Sequence, residues 1–217
     1  MWCRITWISN WVFERQYGCA TNQRESTMLW KGIVNQSFSP DEFAQYVNTL
    51  SFSTWQPQFV VLHNTAAPTL QQWMSGPTTP QQRILNLEAY YRDQMGWSAG
   101  PHLFIDNQLI WAFTPLTTSG VHSPSWNHVS WGIEMVGDYS QESFDQGPGA
   151  AVADNAVKAL ATLHTLMGLD PDTLKFHKED PGTTHNCPGS NVNKPNIIAR
   201  VRQRMGGDHP LGQIPVS

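Results

Sequence analysis

The sequence predicts an α/β domain in which helices flank a central mixed β-sheet. Short continuous apolar runs, such as PQFVVLHN (57–64) and WGIEMVG (131–137), have the length of strands that are buried on both faces. Longer stretches with a helical spacing of apolar residues lie between these runs. Because strands alternate with helices along 217 residues, we expect one domain over 29–205, with an extension at 1–28 and a tail at 206–217.

The composition is that of a globular protein. Hydrophobic residues make up 40% of the chain and charged residues 14%. The net charge of −4 disfavours nucleic acid or an anionic membrane as the main partner. No run approaches the roughly 18 apolar residues that cross a bilayer. The three cysteines are an odd number, and Cys3 could pair with Cys19, although no feature of the sequence requires that disulfide.

The first 28 residues differ in character from the rest of the chain. The segment WCRITWISNWVFERQYG (2–18) is interrupted by Arg4, Asn10 and Glu14, so it lacks the continuous apolar stretch of a signal peptide. It also lacks a clear helical or strand period. We therefore interpret residues 1–28 as an appendage to the fold.

The first predicted helix and strand follow this extension. SPDE (39–42) is a capping box with proline at the first helical position, and Phe43 and Val47 share one face of the helix that it starts. The run PQFVVLHN then predicts a buried strand that ends near His63. A loop rich in Pro, Thr, Ser and Gly is expected over 65–78.

A second capping box, TPQQ (79–82), opens a helix that is predicted to extend to about Gly96. After this helix the apolar period changes to two. HLFID (102–106) and LIWAF (109–113) predict a hairpin with its turn at 106–108. The apolar stripe of the predicted helix comprises Ile84, Leu87, Tyr91 and Met95.

The second half of the chain continues the alternation. A loop rich in Ser, Thr, Pro and His is expected over 114–128, before the buried strand WGIEMVG. The segment AAVADNAVKALATLHTLMG (150–168) is the clearest helix, and Gly168 is its expected stop. LKFH (174–177) predicts a short strand, and a last helix is expected over 196–205.

The polar loop FHKEDPGTTHNCPG (176–189) offers two metal-ligand residues. These are His177 and Cys187, whose imidazole nitrogen and thiolate sulfur both bind zinc well. A catalytic zinc site has three protein ligands and an open position for water, and His63 at the end of a buried strand is the best third donor. Short motifs of this kind also arise by chance, so ordinary structural roles for these residues remain an alternative.

Glu134 and His185 each have two interpretations. Glu134 lies inside a predicted buried strand, where an unpaired carboxylate is costly. It is either half of a buried ion pair or a general base for water that zinc has acidified. His185 is either a solvated loop residue or a donor that stabilises a developing oxyanion.

The remaining histidines are less informative. His102 alternates with apolar neighbours, and we interpret it as a core residue or as a support for the site. His122 lies in the loop over 114–128 together with Trp126, where both side chains could line a cleft. We interpret His128, His164 and His209 as structural or surface residues.

Four sequence blocks, in this order, resemble the zinc N-acetylmuramoyl-L-alanine amidase family. The blocks are VVLHNTAAP, GPHLFID, VHSPSWNHVSWGIEMVG and HKEDPGTTHNCPG, and the likeness covers roughly residues 57–203. That family includes phage endolysins and shares its fold with animal peptidoglycan recognition proteins. The resemblance implies a fold of this type, with Zn²⁺ held by His63, His177 and Cys187 and with Glu134 in catalysis.

The sequence departs from the family pattern at two positions. Many members have a catalytic tyrosine where this chain has Pro101, and many have a catalytic lysine where it has His185. The first departure resembles a subgroup that relies on glutamate, as do the pair His63 and Asn64 and the ten-residue step from His177 to the last ligand. The second departure assigns the oxyanion role to the imidazole of His185. When it is neutral at high pH, this imidazole stabilises negative charge less well than the lysine of other members would.

The resemblance implies hydrolysis of the amide bond between N-acetylmuramic acid and the L-alanine that begins the stem peptide. The partner would be bacterial peptidoglycan or muropeptides, held by a monomer in a groove that includes Asn64, His122 and Trp126. One alternative is a non-catalytic peptidoglycan-binding module on the same fold, although animal modules of that type lack the cysteine ligand that this chain retains as Cys187. A second alternative is a zinc peptidase that cuts within the stem peptide, for which the sequence offers no HExxH motif.

Overall fold

The computed structural model describes residues 29–206, which form a mixed β-sheet flanked by helices. The strands are β1 (Gln36–Phe38), β2 (Phe59–Asn64), β3 (Leu103–Ile105), β4 (Ile110–Ala112), β5 (Ser130–Met135) and β6 (Lys175–Phe176). The α-helices are α1 (Pro40–Asn48), α2 (Leu70–Met74), α3 (Pro80–Ala89), α4 (Gly147–Met167) and α5 (Lys194–Gly206).

The strands lie in the order β1-β4-β3-β5-β2-β6. Strands β3, β5, β2 and β6 run parallel to one another, whereas β4 is antiparallel to both β1 and β3. This arrangement confirms the predicted α/β fold with a mixed sheet. In the β2–β5 pair His63 lies opposite Glu134. Because paired residues of neighbouring strands project from the same face, both side chains lie on one side of the sheet.

The two capping boxes found in the sequence mark the starts of α1 and α3. The Ser39 side chain accepts the backbone N–H of Glu42, and the Glu42 carboxylate accepts the backbone N–H of Ser39 at 2.8 Å. At α3 the Thr79 hydroxyl accepts the N–H of Gln82 at 3.2 Å. Helix α3 ends at Ala89, however, and a π-helical turn (Tyr90–Gln94) follows it.

The π-helical turn corrects the apolar stripe that was predicted to run on to Met95. A π turn closes on the fifth residue rather than the fourth, so the side chains after it rotate away from the helical face. Ile84 is fully buried, as expected for the stripe, whereas 43% of Met95 is exposed. The prediction was therefore right for the start of the stripe and wrong for its end.

The predicted loop over 65–78 contains a helix that the sequence analysis missed. Helix α2 starts at a third capping box, in which the Thr69 hydroxyl accepts the N–H of Gln72 and the Gln72 side chain accepts the N–H of Thr69. Leu70 and Trp73 bury their side chains in the core. The Thr-x-x-Gln spacing was a usable signal, but proline and glycine on both sides of it obscured the short helix.

The second half of the chain follows the sequence prediction closely. Helix α4 starts at Gly147, a few residues before the predicted start, and ends at Met167. Gly168 caps it, with a φ of 62° in the left-handed region that favours glycine. Strand β6 ends at Phe176, one residue before His177, and α5 starts at Lys194. No helix in the described part of the chain is long and apolar enough to span a membrane.

The extension at 1–28 lies outside the described residues, as do Cys3, Cys19, His209 and residues 207–217 of the predicted tail.

We predict that the extension is dispensable, because its sequence shows no pattern that belongs to the domain. A chain that starts at Met28 should melt within a few degrees of the full chain and keep its activity. Loss of cooperative thermal unfolding in the shortened chain would show that part of the extension packs on the domain.

Candidate metal centre and cleft

Parallel strands deliver the candidate residues to one end of the sheet. His63 and Asn64 end β2, Glu134 lies near the end of the adjacent β5, and His177 directly follows β6. A cleft of about 390 Å³ opens there. Its lining includes the predicted residues His63, Asn64, His122, Glu134, His177, His185 and Cys187, together with Tyr91, Trp97 and Pro101.

Three of the predicted ligands form a cluster in this cleft. His63, His177 and Cys187 each offer one ligand atom, and these atoms all lie within 4.8 Å of one another. Strand β6 pairs directly with β2, which brings the two histidines together. Cys187 returns on the loop, where its carbonyl oxygen accepts the N–H of Lys178 at 2.9 Å. This spacing and donor set fit a small tetrahedral cation with one position left open.

The protonation states of the two histidines also fit a metal. Burial, followed by the charges of neighbouring histidines, lowers the pKa of both His63 and His177. Both imidazoles are therefore neutral at physiological pH, as a metal ligand must be. The Nε2 atom of His177 is buried and lacks a hydrogen-bonding partner within residues 29–206. Buried polar atoms usually have a partner, so we expect a ligand that binds in the cleft to contact this atom.

Cys187 is the ligand whose protonation a cation would change. Its Sγ accepts the backbone N–H of Asn64 at 3.3 Å. Burial, and then the charge of Glu134, raise the pKa of the thiol. A divalent cation in the cluster would reverse that effect and displace the thiol proton, because metals bind the thiolate.

Within residues 29–206, Glu134 lies beside the cluster and forms no ion pair with lysine or arginine. Its Oε1 lies 3.9 Å from Nδ1 of His63, and its Oε2 is buried without a hydrogen-bonding partner in the described residues. Burial raises the pKa of this carboxyl group to about 8. A carboxyl group that exchanges a proton near neutral pH is suited to general acid–base chemistry.

His185 lies at the rim of the cleft. The residue is exposed, and its ring stacks on that of His177 with the centroids 6.1 Å apart. Its backbone N–H donates to the Thr183 hydroxyl at 3.3 Å. The side chain is therefore both solvated and within the cleft, which leaves it free to reach a bound ligand.

The structure places the three predicted groove residues differently from one another. Asn64 lines the cleft and donates from Nδ2 to the Gly137 carbonyl at 3.1 Å. His122 also borders it, but only 7% of the residue is exposed, and its Nδ1 lies 3.1 Å from Nε2 of His63. Trp126 packs edge-on against Phe59, with the centroids 5.6 Å apart, and is absent from the lining of the described cleft. The fold does not bring Trp126 to the site, because its ring turns back onto β2.

Two aromatic residues of the cleft escaped sequence reasoning. The rings of Tyr91 and Trp97 stack with their centroids 4.9 Å apart and an interplanar angle of 9°. Burial, and then the charge of Glu134, raise the pKa of Tyr91 well above its ordinary value. The π-helical turn and the left-handed Gly96, whose φ is 63°, place both rings here. The helical stripe suggested a core role for Tyr91, and a single sequence carries little signal for a π turn.

His102 has the supporting position that its sequence pattern predicts. The ring is fully buried, its Nδ1 accepts the N–H of Gly132 at 3.0 Å, and its Nε2 donates to the Thr118 carbonyl at 2.9 Å. Burial lowers its pKa to about 3, so it is neutral. Of the other histidines, His164 is fully buried in α4 and His128 is exposed.

Asp180 ties the two loops of the cleft together, a role that sequence reasoning did not assign. Its carboxylate accepts the Ser123 hydroxyl, the N–H of Ser125 at 3.0 Å and the N–H of Gly182 at 2.7 Å. Burial alone would raise the pKa of Asp180, but these hydrogen bonds more than offset it and bring the pKa to about 2. The carboxylate therefore connects the loop of His122 to the loop of His177.

We predict that Asp180→Asn lowers the free energy of unfolding by about 1–3 kcal/mol, the usual cost of leaving buried donors unsatisfied. Because the folded-state pKa is depressed, the stabilisation is complete above the ordinary value of 3.8 and is lost as the pH falls towards about 2. Chemical denaturation at neutral and acidic pH measures this, and the two proteins should converge in acid. Asp172→Asn, at an exposed position, is the control. Equal stability of Asp180→Asn and the wild type at neutral pH would contradict the linking role.

Comparison with known proteins yields one family and several relatives. The sequence profile of the N-acetylmuramoyl-L-alanine amidase family, Amidase_2, matches residues 53–190. Peptidoglycan-recognition protein SC2 of Drosophila melanogaster is 22% identical over 136 residues, which cover 62% of this chain and 69% of that protein.

Solved structures show the same fold. The endolysin N-acetylmuramoyl-L-alanine amidase LysCS from Clostridium intestinale URNW is similar with a TM-score of 0.52 and 24% identity, over 70% of this chain and 91% of that one. Peptidoglycan recognition protein-LE, in complex with tracheal cytotoxin (a monomeric diaminopimelic acid-type peptidoglycan), is similar with a TM-score of 0.53 and 20% identity. That match covers 65% of this chain and 81% of the other.

Proposed function

Because the chain belongs to the N-acetylmuramoyl-L-alanine amidase family, we propose that it is a zinc-dependent hydrolase that cleaves the amide bond between N-acetylmuramic acid and L-alanine in peptidoglycan. The observation that carries the proposal is the cluster of His63, His177 and Cys187, with ligand atoms within 4.8 Å of one another beside a buried carboxyl group. A binding module needs neither a complete set of metal ligands nor a general base.

The three ligands would hold Zn²⁺ in the cleft. When bound, zinc supplies the positive charge that polarises the scissile carbonyl and acidifies water. The same charge favours the thiolate of Cys187 over the thiol and the ionised form of Glu134 over the protonated form. Both groups are thereby brought to the protonation state that the chemistry requires.

Glu134 would move the protons of the reaction. Its carboxylate accepts a proton from the attacking water as the carbon–oxygen bond forms, and it returns that proton to the amide nitrogen as the carbon–nitrogen bond breaks. The buried Oε2, which has no partner within the described residues, is available for this exchange. The products are the free lactyl carboxyl group of the sugar and a peptide with L-alanine at its amino end.

His185 would stabilise the tetrahedral oxyanion from the rim of the cleft. Its exposed ring can turn towards the cleft and donate a hydrogen bond to the negative oxygen. An imidazole keeps one N–H when neutral, so the donor survives at high pH, but its positive charge does not.

The substrate would lie along the cleft as an extended muropeptide. The proposed contacts are Asn64 and the stacked rings of Tyr91 and Trp97, since sugars and peptides both pack well on flat aromatic faces. Trp126 is left out of this groove, because its ring packs on Phe59. The complex of peptidoglycan recognition protein-LE with tracheal cytotoxin supports the fold as one that can hold a muropeptide.

The test is the release of soluble products from purified peptidoglycan, identified by mass spectrometry. We expect glycan fragments with free lactyl groups and peptides that start at L-alanine. A metal chelator should abolish the release, and added Zn²⁺ should restore it. Peptides cut at an internal bond would instead identify a peptidase, and binding without any product would identify a recognition module. Full activity in a demonstrably zinc-free preparation would exclude the proposed metal.

A further inference from the structure

His122 borders the cleft and packs directly against the proposed ligand His63. Only 7% of His122 is exposed, and the two rings meet edge to face with an interplanar angle of 87°. The Nδ1 atom of His122 lies 3.1 Å from Nε2 of His63, which is a hydrogen-bonding distance. One of the two ring nitrogens of His63 is therefore already engaged by the protein.

The direction of this hydrogen bond follows from the other side of His122. Its Nε2 lies 3.3 Å from the carbonyl oxygen of Ser130. A carbonyl oxygen can only accept, so Nε2 carries the hydrogen. The ring is buried, and its nitrogens face a carbonyl oxygen and another imidazole rather than a carboxylate, so it is neutral and has a single N–H. The Nδ1 atom of His122 therefore accepts, and Nε2 of His63 donates.

We propose that His122 is a positioning residue that holds His63 in its Nε2–H tautomer, so that the lone pair of Nδ1 points to the metal. The inference rests on the proposed function, because it concerns how that metal would be held. The Nδ1 atom of His63 is the one that lies 3.9 Å from Oε1 of Glu134. The tautomer thus directs the free lone pair towards the same region as the general base.

The surrounding chain is built to hold His122 in this position. The Oδ1 atom of Asn127 accepts the backbone N–H of His122 at 2.7 Å and that of Ser123 at 2.8 Å. The ring lies against Gly132 of β5, where a Cβ atom would overlap the imidazole. A glycine in the middle of a buried strand weakens the strand, so its presence there fits the need for close approach by a ring.

The type of residue that is hydrogen-bonded to His63 affects how much positive charge the metal would keep. Histidine ligands commonly donate their second N–H to a carboxylate, a backbone carbonyl or water. A carboxylate partner would make the imidazole a stronger donor and would partly neutralise the cation. The neutral His122 orients His63 without adding negative charge, so the cation keeps more of its charge for the scissile carbonyl.

Zinc affinity of the full chain, measured by competition with a chromophoric chelator, tests the inference without reference to hydrolysis. His122→Leu removes the acceptor, and we expect its affinity to fall 10- to 100-fold, the usual range for a lost partner of a ligand. His122→Asn places an amide oxygen near the position of Nδ1, and we expect it to restore most of the affinity. His128→Leu is the matched control, because that histidine is exposed on the same loop.

A second measurement needs no substitution. Long-range ¹H–¹⁵N correlations of the zinc-loaded wild type report the tautomer of each histidine, and His63 should carry its hydrogen on Nε2 and its metal on Nδ1. A hydrogen on Nδ1 of His63, or equal zinc affinity for the wild type and His122→Leu, would overturn the positioning role. A wild-type chain that binds no zinc would instead overturn the proposed metal centre itself.

Discussion

Replacing Cys187 by serine should remove zinc from the chain and abolish hydrolysis of peptidoglycan. A thiolate supplies both charge and a strong bond to zinc, whereas a serine hydroxyl at neutral pH supplies neither. The hydroxyl can still accept the N–H of Asn64 that now bonds to the sulfur, so the fold of the loop should persist. We expect the zinc content per chain to fall close to zero, while insoluble peptidoglycan still retains the variant.

Cys19→Ser is the control for this experiment, since residue 19 belongs to the segment 1–28 that we predict to be dispensable. It should keep both zinc and activity. A Cys187→Ser variant that keeps both would show that the third ligand is misassigned, and His185 would be the next candidate because its ring stacks on that of His177. If peptidoglycan binding and melting temperature fall together with zinc, the loop requires the metal for its folding.

The substitution Glu134→Gln should slow hydrolysis on the order of 100-fold or more, the usual scale for the loss of a general base. Glutamine has nearly the same shape but cannot accept the proton. The loss should appear in kcat, because the carboxylate acts on the reacting atoms rather than on substrate binding. Zinc content should be unchanged, since Glu134 lies 3.9 Å from a ligand nitrogen but is not itself one of the three ligands.

Glu88→Gln provides the comparison for this variant. Glu88 is also partly buried and accepts a hydrogen bond from Trp30, but it does not line the described cleft. Its replacement should leave turnover at the wild-type level. Near-normal turnover in Glu134→Gln would return Glu134 to a structural role, and a loss of zinc in that variant would mean that the carboxylate belongs to the metal centre.

The sequence is informative about which side chains meet in the candidate metal centre, because their local context is strong. His63 closes an apolar run, and Cys187 lies in a polar loop ten residues after His177. Both patterns survive in the fold, which brings the three side chains into one cluster. The pairing of His63 with Glu134 could not be predicted from the sequence, because the register of two parallel strands depends on tertiary packing and not on either strand alone.

The loop over 114–128 shows where sequence reasoning fails. His122 and Trp126 lie in one polar segment, and the sequence gives no basis for separating them. In the structure the His122 ring packs against Gly132, where the absence of a side chain leaves room for it, and the Trp126 ring packs on Phe59. Their different roles depend on contacts with residues distant in sequence. The same holds for Tyr91, whose direction depends on the π-helical turn that ends α3.

The three candidate ligands come from different parts of the chain, and hydrogen bonds of the fold hold the last of them in place. His63 belongs to β2, and His177 follows β6, which pairs directly with β2. Cys187 lies on a loop, but its carbonyl oxygen accepts the N–H of Lys178 and its sulfur accepts the N–H of Asn64. The proposed zinc would therefore bind donors that the fold already holds together, so it could be removed and replaced without unfolding the domain.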